Sequence, residues 1–206
     1  MSDVRLFSAV LLAAGRSRRM GSDKALLAMP DGRVLWERQY AVLKEAGAAE
    51  IFISARPEQM WVPATLNVVR DAVADAGPLA GIVAGLERAA HAHVAVLAVD
   101  LSAMRAEWFA GLLARCAPGM GAVGRRPARE DGDAGFFEPL AAIYPREILP
   151  AARAALARGE VSLQRLLGGG DARHFVSVRD ISATDAAMLA NWNEPAPRRL
   201  RGPAVR

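Results

Sequence analysis

The sequence predicts an α/β layered fold with a mostly parallel central sheet. Three observations carry that expectation: apolar strand-like segments alternate with helical patterns along the 206 residues. The stretch His93–Asp100, HVAVLAVD, is almost continuously apolar, as a strand buried on both faces must be. And the charged or glycine-bearing segments follow the ends of predicted strands, where such sheets bind ligands.

Leu6–Ala13 reads as the first strand, followed by a loop within LLAAGRSRRMGSDKALL at 11–27. Asp31 and Gly32 mark a turn before a helix over Arg33–Ala46, where Leu35, Gln39, Val42, Leu43 and Ala46 share one face and Gly47 supplies the stop. Glu50–Ala55 and Leu66–Asp71 are the second and third strands. Gly77 and Pro78 open a small-residue helix to about Ala90, with Pro78 suited to a first helical position. After His93–Asp100, Ser102 is expected to cap a helix running through Cys116. Gly121–Arg126 and Pro139–Tyr144 are strands, separated by REDGDAGF, expected as a mobile polar loop. Ala151–Arg158 and Leu163–Leu167 are short helices, His174–Val178 is the last strand, and a helical turn precedes NWNEP at 191–195. Residues 1–195 are expected as one domain, and 196–206 as a flexible tail.

Composition narrows the function classes. No apolar run approaches the ~20 residues of a membrane span, and the N-terminus lacks a secretory pattern, so a cytoplasmic protein without membrane contact is expected. A net charge of +4 suits a nucleic-acid binder or an enzyme with a phosphate-rich substrate. Aromatics make up only 6% and the arginines are dispersed, which argues against nucleic acid. His91, His93 and His174 are too scattered for a zinc site, and Cys116 reads as a buried structural thiol.

The loop at 15–24 holds Arg16, Arg18, Arg19 and Lys24 beside two glycines. It has neither the Walker spacing nor G-x-G-x-x-G, yet it has the ingredients of an anion cradle: Gly15 for close backbone approach, exposed amides and cations. Of the 26 basic residues only Lys24 and Lys44 are lysines, so Lys24 stands out as a point charge suited to phosphate. Asp100 closes the central strand; beside a polyphosphate its natural partner is magnesium, which takes one or two carboxylates with phosphate oxygens and water. Asp71 has a weaker claim, and Asn191 and Asn193 flank Trp192 ahead of a proline, a pattern that usually means a turn and can also finish an active site.

LAAGRSRRMGSDK at 12–24 resembles the L-A-G/A-G-x-x-x-R-M-G-x-x-K signature of the molybdenum cofactor guanylyltransferase family of nucleotidyltransferases. GPLAG at 77–81, the strand ending in Asp100, EPLAAIYP at 138–145 and NWNEP follow in that family's order. The resemblance implies a three-layer Rossmann-like fold of the nucleotide-diphospho-sugar transferase type. It also implies magnesium-dependent transfer of a nucleoside monophosphate from GTP to the phosphate of molybdopterin, releasing pyrophosphate, by a chain expected to be monomeric. It assigns Leu12, Ala13, Ala14 and Gly15 to nucleotide contact through backbone, Arg19 and Lys24 to the phosphates, and Ser54, Asp71 and Gly77 to the nucleotide. Asp100 would bind magnesium, and Asn191 and Asn193 the acceptor phosphate, with Asn193 also a candidate for the metal.

Ala14 stands where guanylyltransferases usually carry Gly, and LAAG is the form of cytidylyltransferase relatives, whereas NWNEP resembles the guanylyl branch. Ser54 stands for an expected Asn and Ser102 for a Pro. The alternatives are therefore a cytidylyl- or sugar-phosphate nucleotidyltransferase, and a nucleotide-sensing or cofactor-delivery module without turnover.

Overall fold

Seven strands form a single sheet in the order β3-β2-β1-β4-β6-β5-β7 in a computed structural model that describes residues 6–15, 23–70, 77–127, 135–168 and 172–190. The strands are β1 (Ser8–Leu12), β2 (Glu50–Ser54), β3 (Asn67–Val69), β4 (His93–Ala98), β5 (Gly121–Arg126), β6 (Phe136–Pro145) and β7 (Val176–Asp180). The α-helices are α1 (Leu35–Glu45), α2 (Pro78–Arg88), α3 (Ala106–Leu113), α4 (Leu149–Ala157), α5 (Leu163–Gly168) and α6 (Ala183–Met188).

The sheet is mostly parallel because helices return the chain between strands; β1 pairs in parallel with both β2 and β4, β2 with β3, and β5 with β7. β6 alone runs the other way, antiparallel to β4 and β5. Alternate side chains feed two cores. Leu11 and Leu97 face the layer with Trp36 of α1 and Trp108 of α3. Val10 and Val96 face the layer with Leu79 of α2, Ala152 of α4 and Leu166 of α5. This is the three-layer Rossmann-like arrangement the sequence predicts. After β1 the chain moves outward to β2 and β3, then returns to place β4 on the other side of β1. The topological switch therefore lies between β1 and β4, where a ligand crevice is expected.

Several expectations shift. The helix after β4 does not begin at Ser102: the chain makes two tight turns, Leu101 N–H to Ala98 O and Met104 N–H to Leu101 O, which bury Leu101 and Met104 before the helix starts at Ala106. Ser102 instead offers its carbonyl to Arg38 Nε at 2.8 Å. The same helix stops at Leu113, short of Cys116, whose buried Sγ lies 3.4 Å from Leu112 O. β6 starts three residues earlier than the sequence suggests, and β7 begins at Val176 because 173–175 form a 3₁₀ turn in which His174 packs on Phe175 at 4.0 Å. A bulge between Ala122 and Gly124 shifts the β5–β6 register, and the Tyr144 hydroxyl donates to Pro139 O at 2.8 Å across the irregular stretch. Residues 128–134, which hold most of the predicted REDGDAGF loop, and those from 191 onward lie outside the described residues. Among the described residues no helix is long and apolar enough to cross a membrane.

One buried carboxylate, Asp185, and one half-buried, Glu50, tie the fold to pH. Burial opposes ionisation of Asp185, but hydrogen bonds from the Ser182 hydroxyl and N–H and the Arg179 guanidinium outweigh it, holding its pKa below the ordinary 3.8. Burial also opposes ionisation of Glu50, and the Ser8 hydroxyl, the Ala90 N–H and His91 hold it below 4.5. A pKa lower in the folded chain means a contribution fully present above the unfolded value and lost as pH falls through the folded one. Urea denaturation across the acid range is expected to show stability falling from about pH 4.5 downward, with Asp185→Asn flattening that slope.

Candidate active site

The carboxyl ends of β1 and β4 open into a cavity of about 590 Å³. The four residues following the β1 core, Leu12, Ala13, Ala14 and Gly15, form one wall; Ser54 ends β2, Gly77 precedes α2, and Lys24 and Asp100 close the mouth. All eight were singled out from the sequence. Arg19, Asp71, Asn191 and Asn193 lie outside the described residues.

The β1 wall is held by its neighbours on both sides. Ala13 N–H donates to Ser54 O at 2.9 Å, and Val99 N–H to Leu12 O at 3.1 Å. Arg56 Nη1 donates to the carbonyls of Ala14 and, at 2.7 Å, Gly15. The floor needs a glycine at 81: a Cβ there would sit 2.7 Å from Ser54 Oγ and 2.8 Å from Leu12 Cδ2. Gly85, one turn further, also passes close to β1, where a Cβ would lie 3.0 Å from Val10 Cβ, so α2 can press onto β1 and direct its positive N-terminal end at the cavity. Gly77, in the left-handed region at φ +68°, makes the turn into that helix.

Lys24 lies in a 3₁₀ turn, Lys24–Leu26, whose amino end is capped by Asp23 Oδ1 accepting from Ala25 N–H at 3.1 Å. Its Nζ stands 3.6 Å from Asp100 Oδ2, with about a quarter of each side chain exposed. An ion pair this open to water stabilises the fold by at most ~1 kcal/mol, so its meaning is placement: a cation and an anion share the entrance of one cavity. The turn carrying Asp100 is fixed from α1, where the buried Gln39 Nε2 donates to Leu101 O at 2.5 Å and Arg38 Nε to Ser102 O.

Two aspartates line the cavity, and their surroundings separate them. Asp23 accepts from Ala25 N–H, from Gln59 Nε2 at 2.6 Å and from Trp61 Nε1 at 2.8 Å, so its oxygens are engaged by protein donors. Asp100 faces the mouth beside an ammonium. Among the described residues no three His, Cys, Asp or Glu side chains form a metal-binding group. The donor set suits a magnesium ion held by one carboxylate together with phosphate oxygens and water.

The sequence reading passed over Arg56, Gln59, Arg70 and the structural use of Gly81. Arg56 lies two residues beyond β2 and Arg70 one beyond β3, where Arg70 Nη1 donates to Ala55 O at 3.2 Å; both line the cavity. The rule that singled out Asp100, a polar residue just past a parallel strand, would have found them too.

A family model described as a MobA-like NTP transferase domain matches residues 9–176. A protein of Opitutus terrae named a probable molybdenum cofactor guanylyltransferase is 44% identical over 191 residues, covering 91% of each chain. The molybdenum cofactor guanylyltransferase of Pseudomonas putida is 34% identical over 190 residues, 91% of this chain and 93% of its own. Among solved structures, molybdopterin-guanine dinucleotide biosynthesis protein A of Archaeoglobus fulgidus superposes with a TM-score of 0.67 at 20% identity, covering 91% and 93% of the two chains. The 2-C-methyl-D-erythritol 4-phosphate cytidylyltransferase of Thermus thermophilus gives 0.64 at 22% identity, covering 92% and 94%. These two show a shared fold.

Proposed function

Since the chain belongs to the MobA-like NTP transferase family, we propose that it transfers GMP from GTP to the terminal phosphate of molybdopterin and releases pyrophosphate. The observation that carries nucleotidyl transfer is the meeting of the β1 wall, Lys24 and Asp100 at one cavity on the switch between β1 and β4. The guanylyl and molybdopterin parts rest on the likeness to the Opitutus terrae and Pseudomonas putida proteins and on the 12–24 segment.

An acceptor phosphate is already a nucleophile. One of its oxygens forms a bond to the α-phosphorus of the triphosphate while the bond from that phosphorus to the β-phosphate's bridging oxygen breaks, and the electron pair leaves with pyrophosphate. No side chain need move a proton, so the chain's task is alignment and charge neutralisation. The backbone of Leu12–Gly15 receives the nucleotide. With the carbonyls of Ala13, Ala14 and Gly15 bonded to Gln59 and Arg56, and the Ala13 N–H given to Ser54 O, it is the N–H groups of Ala14 and Gly15 that suit an anion. Lys24, with Arg19, holds the phosphates as negative charge moves toward the leaving group. Ser54, Asp71 and Gly77 border the nucleoside, and Asn191 and Asn193 receive the acceptor. Asp100 would hold magnesium, which when bound adds positive charge at the phosphate oxygens.

Ala14 on the cavity wall favours a second reading in which CTP is the donor. A screen of nucleoside triphosphates against molybdopterin and sugar phosphates, read as pyrophosphate release, tests both. Release is expected with GTP, magnesium and molybdopterin together. Turnover with CTP alone would reassign the base, and binding without release for every acceptor would point to a sensing or delivery module.

A further inference from the structure

The loop after β2 reaches across the cavity wall and grips the residues on either side of the 16–22 segment. Gln59 is only 6% exposed, so its amide must be bonded, and each of its bonds has a purpose. Its Oε1 accepts from Arg56 N–H at 2.7 Å, closing the loop on itself. Its Nε2 donates both to Ala13 O, at the end of β1, at 2.9 Å and to Asp23 Oδ2, at the start of the Lys24 turn, at 2.6 Å. The opposite amide orientation would set an oxygen against a carbonyl and a carboxylate, so the amide's direction is fixed by these partners. Trp61 adds a second donor to the same Asp23 oxygen at 2.8 Å, and its ring is stacked on Trp36 of α1, 5.5 Å between centroids at 30°. Asp23 passes the constraint on: its other oxygen caps the turn from which Lys24 extends toward Asp100.

We infer that Gln59, with Trp61, is a positioning residue for Lys24, acting through Asp23 to hold the ammonium at the distance from the β1 wall that a bound triphosphate requires. Gln59 is set behind the wall and touches Lys24 only through this relay. The inference rests on Lys24 binding phosphate, as proposed above, and it assigns the β2 loop to the phosphate seat.

A thermodynamic cycle tests it. Inorganic triphosphate and GTP, each with magnesium, are titrated by calorimetry into the wild type, Gln59→Met, Lys24→Ala and the double variant. Methionine fills the glutamine's space without its donors. Gln59→Met is expected to weaken triphosphate binding about tenfold where Lys24 is present, and to add less than about twofold in the Lys24→Ala background. An equal loss in both backgrounds, or no loss, would overturn the inference, since a residue supporting only the fold acts regardless of Lys24. Unchanged affinity in Lys24→Ala would remove the phosphate role of Lys24 itself and the relay with it, a distinct result from additivity. If Gln59→Met does not fold by circular dichroism, Trp61→Phe carries the same cycle. It retains an aromatic ring against Trp36, loses one donor to Asp23, and is expected to cost about threefold, again only where Lys24 is present.

Discussion

Lys24→Ala and Asp100→Ala are each expected to lower nucleotidyl transfer by about 10²-fold or more while the protein stays folded. The size follows from what each group would do in the reaction. Charge migrates onto the leaving pyrophosphate as the P–O bond breaks, and an ammonium fixed at the cavity mouth stabilises that state more than the ground state. Removing Asp100 removes the carboxylate that shares the cavity with the Lys24 ammonium; of the other two that line it, Asp23 is engaged by three protein donors and Glu58 lies 3.7 Å from the Arg56 guanidinium. Neither change should unfold the chain, because the pair is part-exposed and 3.6 Å apart and contributes at most ~1 kcal/mol to stability. Steady-state kinetics with denaturation of each variant separates the two effects. Turnover within about twofold of wild type would remove both residues from the site, as would a rate loss matched by a loss of folded protein.

Trp108→Ala is expected to destabilise the fold by about 3–5 kcal/mol, a large share of the ~5–15 kcal/mol typical of a domain. The indole is fully buried between α3 and the sheet, and three neighbours are shaped to it. Its Nε1 donates to Ala141 O at 2.9 Å. The Arg179 guanidinium lies 4.6 Å over the ring, and that cation also bonds Asp185 at 2.9 Å. At Gly124 a Cβ would come within 2.7 Å of the ring edge, so the strand leaves out a side chain to admit the indole. Truncation would open a cavity, leave the Ala141 carbonyl without its donor and strip the apolar face from a guanidinium whose Nη1 is already buried without a hydrogen-bond partner among the described residues. Chemical denaturation should show a lower midpoint with an unchanged slope, and Trp108→Phe should recover most of the loss. A midpoint shift equivalent to less than 1 kcal/mol would refute this account of the α3 layer.

What the sequence disclosed depended on whether the signal was local. His93–Ala98 was legible because a strand covered on both faces must be apolar throughout, and Gly47 and Pro78 punctuate helices by their own backbone chemistry. Lys24 and Asp100 were legible because each follows a strand and each is chemically conspicuous. Ser102 misled for an equally physical reason: a serine four residues ahead of a helix resembles a cap, but the burial of Leu101 and Met104 demanded further turns first. The reversal of β6 carries no local mark, since antiparallel and parallel strands with both faces covered share one composition. Gln59 was invisible for the deepest reason. Its partners Ala13 and Asp23 lie 46 and 36 residues away, and only the folded chain brings them together.

The reversal of β6 divides the molecule into a conservative half and an adjustable one. Where helices return the chain between parallel strands, each crossover spans the sheet and its length is dictated by that span. β5 ends and β6 begins at the same edge as the cavity, with Arg126 opposite Phe136 and Leu140 contributing to the cavity wall. The chain therefore leaves β5 and re-enters β6 on the ligand side, at the Arg126–Phe136 pair. Such a fold can change what it accepts at the rim while keeping fixed what it grips at the β1–β4 switch.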